Sequence, residues 1–369
     1  MKTNLKITIL IAFIIFSGFL HARETYQLPN LETTEFNQMN VCVLPQIELI
    51  SIVQTIGNYP SVLGFLMAKD SSGYKTDVLN HFSEYRNHPA VQMFDRLSSQ
   101  PRMLNFSAPS NIMLLADNSL ELRNDIETDN FVINRAGGTD SLKLFLNLLR
   151  DFAVQSSFNN FFTEHCEYYR TIIDKTVQNI GTTNFISELE NFYGFRQKSY
   201  NIVLVSLYNF VGFGNSLLCF DGRRDIYNTM GPKSVENNVP FFGDENYLKY
   251  MIRHEFSHPF INPLTEKHWN LVKNYASKYD SIPEVARKNV CGDWQECINE
   301  FIIRAITTQL AFNESETSGQ QYYTKEKSRG VCYLDALLGS LNNYQQNRTT
   351  YPALENFYSE VLAVFTANN

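Results

Sequence analysis

The chain has 369 residues, 44% hydrophobic and 19% charged, which is ample apolar content for a buried core and excludes a disordered or fibrous protein. A formal net charge of -7 speaks against nucleic acid or an anionic membrane surface as partner. The six cysteines, Cys42, Cys166, Cys219, Cys291, Cys297 and Cys332, match no zinc-cysteine spacing, and a core of this size does not depend on disulfides.

Residues 1–22 read as a signal peptide. Lys2 and Lys6 precede the apolar run Ile7 to Phe16, and Ala22 supplies a small residue for cleavage. The run is too short for a confident membrane span, so an exported protein is expected, periplasmic or extracellular, with no stable membrane insertion after cleavage. From Leu31 to Phe195 the pattern is mostly helical, for example over Gln46–Thr55, Lys75–Tyr85, Ser141–Val154 and Asn159–Val177. His81, His88 and His165 in this half read as packed or surface histidines. Tyr200–Tyr208 is β-rich and predicts a strand, either a core strand or the edge that would hold a substrate backbone. Phe213-Gly214-Asn215 and Asp221-Gly222-Arg223 read as turns, with a short strand over Asp225–Met230. The expected division is therefore 23–195, mostly helical, and 196–369, with a soft boundary that also admits one domain.

The chemistry concentrates at His254-Glu255-Phe256-Ser257-His258, an HExxH arrangement. On a helix, residues four apart share a face, so both imidazoles can reach one ion with Glu255 beside it as a general base. Gly243-Asp244 offers a cap, and Tyr247, Leu248, Met251, Ile252 and Phe256 form an apolar stripe. A further helix is expected over Glu266–Tyr279. Another starts near Asp293 and runs to Leu310, carrying Glu296 and Glu300 on one face. Glu300 sits among apolar residues, where a carboxylate needs a positive partner. A metal ion would serve, and so would Arg304 one turn on. His254, His258 and Glu300 are the candidate metal ligands, ahead of Glu296, His268 or Asp293, and Glu255 is the candidate catalytic residue. Cys291 and Cys297 can staple the start of this helix or remain free thiols.

His254-Glu255-Phe256-Ser257-His258, followed by Asn299-Glu300 on a later helix, resembles the gluzincin clan of zinc metallopeptidases, in which a downstream glutamate is the third ligand. The interval to Glu300 is longer than that clan's usual one, and Arg304 stands where those enzymes often carry an acidic residue. Leu264 occupies the position of a metzincin's third histidine, so that pattern does not apply. Most of the mature chain is similar to a family of exported bacterial proteins of unknown function with a zincin-like motif, from Ile47-Glu-Leu-Ile-Ser51 through Tyr85–His88 to Asn299–Ala305. The resemblance implies an α+β, zincin-like fold with a small mixed sheet, Zn2+ as the ion and a peptide or protein as substrate. It implies a secreted metallopeptidase in which Glu255 moves the proton. No residue is assigned to an organic cofactor. Tyr333, His268 and His165 are candidates for stabilising an oxyanion. Two other readings stand beside it: a zinc hydrolase of other amides or esters, and an exported binding protein without catalysis.

Overall fold

The computed structural model describes residues 26–69, 72–101 and 103–366, so the signal segment expected over 1–22 lies outside the described residues. The fold is α+β: mostly helical, with one five-stranded mixed sheet and a small hairpin. The sheet comprises β1 (Glu32–Phe36), β2 (Met39–Val43), β3 (Ser199–Leu204), β4 (Gly212–Leu218) and β5 (Arg224–Met230), in the order β1-β2-β3-β5-β4. β2, β3 and β5 run parallel, while β1 and β4 are antiparallel edges. The hairpin pairs β6 (Ser234–Glu236) with β7 (Val239–Phe241).

β1 and β2 were not expected from the sequence. Their five-residue runs are short, and the tight turn between them is made by Asn37 and Gln38, both at positive φ. Between β2 and β3 the chain is helical. Pro45–Ile56 replaces the expected Gln46–Thr55 almost unchanged, and Ile47, Leu49, Ile50, Ile52, Val53 and Ile56 are buried together with the polar Glu48, Ser51 and Gln54, so this helix lies in the interior. Thr139–Gln155 also matches expectation. The helix expected over Asn159–Val177 is instead two, Phe158–Glu164 and Cys166–Ile180, divided at His165, whose Nδ1 lies 2.7 Å from the Phe161 carbonyl oxygen.

The strand expected at Tyr200–Tyr208 is β3, and its possible role as a substrate edge is corrected. β2 and β5 flank it, so both of its backbone edges are paired, and the exposed edge beside the motif helix belongs to β4. Phe213-Gly214-Asn215, read as a turn, lies inside β4, whereas Asp221-Gly222 does make the β4–β5 turn, with Gly222 at φ +80. The helix expected over Glu266–Tyr279 is also corrected. The chain has a helix over His258–Lys267 and then two 3-10 segments, Trp269–Leu271 and Lys273–Ser281. Pro259 starts the first of these at a position where a missing N–H costs nothing.

The long helix Trp294–Glu314 lies at the centre of the second half. Ile298, Phe301, Ile302, Ile303, Ala305 and Ile306 are fully buried, each large side chain contributing about 1.5–3 kcal/mol relative to exposure. Asp293 caps its start by accepting the Glu296 N–H at 2.8 Å, and Cys291 is disulfide-bonded to Cys297 across the same turn. A disulfide persists in oxidising compartments. Among the described residues, no helix is long and apolar enough to cross a membrane.

Candidate metal centre

Asp244 caps the motif helix, Glu245–Glu255, by accepting the Tyr247 N–H at 2.9 Å. The HExxH residues do not share one helix. The first helix ends at Glu255 and the next begins at His258, because Pro259 has no N–H for the Glu255 carbonyl and its ring would crowd that oxygen. Phe256 and Ser257 keep helical dihedrals through the junction, so the two imidazoles still converge, with ring centroids 5.1 Å apart.

Arg253 anchors this segment. It is 1% exposed and clasps Glu188 through two bonds of 2.9 and 2.8 Å, and Glu314 at 3.0 Å, tying the motif helix to Phe185–Tyr193 and to the far end of the Trp294–Glu314 helix. A paired, bidentate guanidinium of this kind fixes orientation as well as charge.

Glu300 faces both histidines. Its Oε2 lies 3.6 Å from His254 Nε2 and its Oε1 3.4 Å from His258 Nε2. One ligand atom from each of the three residues lies within 4.8 Å of the others, so the group can hold a metal ion. Ligand atoms around a tetrahedral ion at ordinary Zn–N and Zn–O bond lengths are about 3.4 Å apart, close to what the two Glu300 oxygens show. His254 supplies the test of fit. It is 6% exposed, its Nδ1 has no hydrogen-bond partner among the described residues, and its Nε2 is too far from Glu300 for a hydrogen bond. Its Nε2, turned toward Glu300 without a hydrogen bond among the described residues, is the nitrogen that a cation would take. Burial, then the charges of Arg304, His258, Arg329 and Lys325, holds its pKa well below the usual histidine range, so it is neutral, the form that ligates. Which metal such a site would take is not fixed by two imidazoles and a carboxylate, since several divalent ions accept that set.

A second set of groups orients these three. His258 Nδ1 lies 3.4 Å from Asn262 Oδ1. Tyr250 stacks on His254 with centroids 5.7 Å apart and planes 10° apart. Arg304 reaches Glu300 Oε2 at 2.9 Å, Tyr250 Oη at 2.8 Å and the fully buried Glu326 at 2.9 Å. Tyr250 donates to Glu326 at 2.7 Å, and Arg329 donates to Tyr250 at 3.0 Å. The Lys325 ammonium rests 3.3 Å from the centre of the Tyr250 ring, its pKa pulled down to about 8 by burial and then by Arg329. The expected partnership of Glu300 with Arg304 therefore exists alongside the two histidines. Tyr250 and Asn262 stand four residues before His254 and four after His258, a spacing that could have revealed them. Glu326 and Arg329 come from a later helix and left no such signal.

Glu255 is 6% exposed, with Oε2 3.9 Å from His258 Nε2. Burial, with Glu300 adding to it, pushes its pKa up to about 7, against the pull of His258 and of the nearby Gly214 N–H. β4 passes directly over this residue. A Cβ at Gly212 would stand 2.9 Å from Glu255 Oε1, and one at Gly214 would stand 2.3 Å from the Glu255 carbonyl oxygen, so only glycine lets the strand approach this closely.

The other expected participants lie elsewhere. Glu296 turns back to accept the Gly292 N–H at 2.6 Å. It lines a groove of about 830 Å³ with Phe106, Phe131, Arg135 and Asn299, on the helix face that it shares with Glu300. His268 packs on Tyr358, Tyr333 on Phe301 and Phe365, and His165 on Tyr74 and Phe161. No curated protein and no solved structure matches the chain. A family model does, over residues 39–364, and it carries the description "Domain of unknown function (DUF4932)". With nearly the whole described chain inside that match, the protein belongs to the DUF4932 family.

Proposed function

We propose that the protein is an exported zinc metallopeptidase with a zincin-like arrangement, in which His254, His258 and Glu300 hold the ion and Glu255 is the general base. The observation that carries this reading is the junction of the triad with a buried, half-compensated carboxylate lying against an open strand edge. Bound there, a divalent ion supplies Lewis acidity and brings the pKa of a coordinated water toward neutrality. Glu255, with a pKa near 7, is suited both to accept a proton at its carboxylate and to return it to a leaving amine. The two glycines of β4 bring the strand's unpaired edge close to Glu255, and Tyr250, Asn262 and Arg304 keep the ligands in place. The disulfide and the leader-like segment support export, and the pairing of β2 with β3 across residue 195 favours the one-domain alternative over a division into 23–195 and 196–369.

One observation favours the reading without catalysis. Arg304 already satisfies Glu300 Oε2, so the carboxylate is not destitute without a metal. Digestion of a peptide library by the zinc-loaded protein and by Glu255→Gln separates the readings. Peptide cleavage lost in Glu255→Gln, with zinc retained, is expected. Cleavage undiminished in the variant would refute the role of Glu255, and hydrolysis of other amides or esters alone would move the assignment to a different hydrolase.

A further inference from the structure

The register of β4 against β5 determines which backbone groups face outward. Gly231 donates to the Val211 carbonyl and Cys219 to that of Arg223, so Phe213, Asn215 and Leu217 bond inward to β5. Gly212, Gly214, Ser216 and Leu218 therefore present their N–H and C=O groups to the outer edge. A Cβ at Gly212 would stand 2.9 Å from Glu255 Oε1 and one at Gly214 3.1 Å from Glu255 Oε2, which places the reacting end at Gly212–Gly214. Among the described residues, no backbone hydrogen bond reaches the outer edge of Gly212 or Ser216.

At Leu218 the same edge is taken. Glu127 N–H donates to the Leu218 carbonyl at 2.8 Å, and Ile126 pairs antiparallel with Cys219. This segment is held at both ends. Arg123 clasps Asp125 at 2.9 and 2.7 Å on one side, Asp129 caps the helix Asn130–Arg135 on the other, and Ile126 is 6% exposed between them. A peptide added to the β4 edge thus has a built end to its track, four residues or about 13 Å beyond Gly214.

Resting on the peptidase reading above, we infer that Ile126–Thr128 is a stop on the substrate track, so that the cleft takes peptides with no more than about three residues on one side of the cleaved bond. The substrate class is then a peptide end rather than the interior of a long chain. The test is cleavage mapping by mass spectrometry with the zinc-loaded protein and peptides of graded length, free or blocked at either end. Every cleavage is expected to release a fragment of about three residues or fewer from one and the same end. Glu127→Pro, which lacks the N–H bonded to Leu218, should release longer fragments from that end, and its hydrolysis of the shortest substrates reports that it is folded. If the variant does not fold, the wild-type pattern decides alone. Wild-type cleavage with more than about four residues on both sides of the bond would overturn the stop while leaving the peptidase reading intact. Absence of any peptide hydrolysis in the metal-loaded wild type would overturn the peptidase reading and the stop with it.

Discussion

Two buried glutamates, Glu48 and Glu255, have pKa values pushed up to about 7 by burial, yet their surroundings differ in kind. Glu48 lies in the interior helix Pro45–Ile56 and accepts the Tyr74 hydroxyl at 2.6 Å, with Tyr169 2.8 Å further along the same chain of hydroxyls. Its environment is closed, aromatic and supplied by protein alone. Glu255 has a histidine at 3.9 Å and the two glycines of edge strand β4 packed against it. The contrast teaches that a raised carboxyl pKa does not by itself mark a site. An incomplete shell beside unsatisfied ligands does.

The largest expected effect breaks the symmetry between the two. Glu255→Gln should lower peptide turnover by about 10²–10⁴-fold, as loss of a general base does, while Glu48→Gln leaves turnover near the wild-type level. Equal losses in kcat for the two variants would erase the distinction.

The next effect belongs to Glu48 and is one of stability. Its pKa rises from 4.5 to about 7 on folding, so between those values the folded state keeps a proton that the unfolded chain releases. Its contribution is present below pH 4.5 and is lost as pH rises through 7, amounting to something on the order of 3 kcal/mol. Denaturant unfolding of wild type and Glu48→Gln at several pH values should show the difference between them changing over that window, and a pH-independent difference would contradict the account.

Smaller changes sharpen the Glu255 side. Gly214→Ala places a methyl against the Glu255 carbonyl and should cost about 1–3 kcal/mol of stability, measurable by thermal unfolding. Arg304→Gln removes the group that holds Glu300 and should weaken zinc affinity by about 10–100-fold in a competition titration with a chelator, whereas an unchanged affinity would mean that Arg304 serves packing only.

The sequence disclosed the parts of the site that rest on local rules. Asp244 and Asp293 marked their helix starts, and the four-residue spacings of His254 with His258 and Glu296 with Glu300 marked shared faces. What it concealed depended on contacts between distant segments. Gly214 read as a turn residue because glycine disfavours strands, but it and Gly212 serve the close approach of β4 to Glu255. β1 and β2 are too short to signal themselves, and only pairing with β3, some 160 positions on in the Cys42 to Ile202 contact, makes β2 a strand. Glu326 and Arg329 reach Tyr250 across a helix pair whose packing no local pattern encodes.

The most direct test of the metal centre is the zinc content of the purified mature chain beside Glu300→Ala and Glu296→Ala. The account predicts about one ion per chain in the wild type and in Glu296→Ala, whose carboxylate bonds Gly292 instead, and loss of the ion in Glu300→Ala with the fold intact. A folded wild type that takes up no divalent metal, or a Glu300→Ala chain that keeps its full complement, would contradict it.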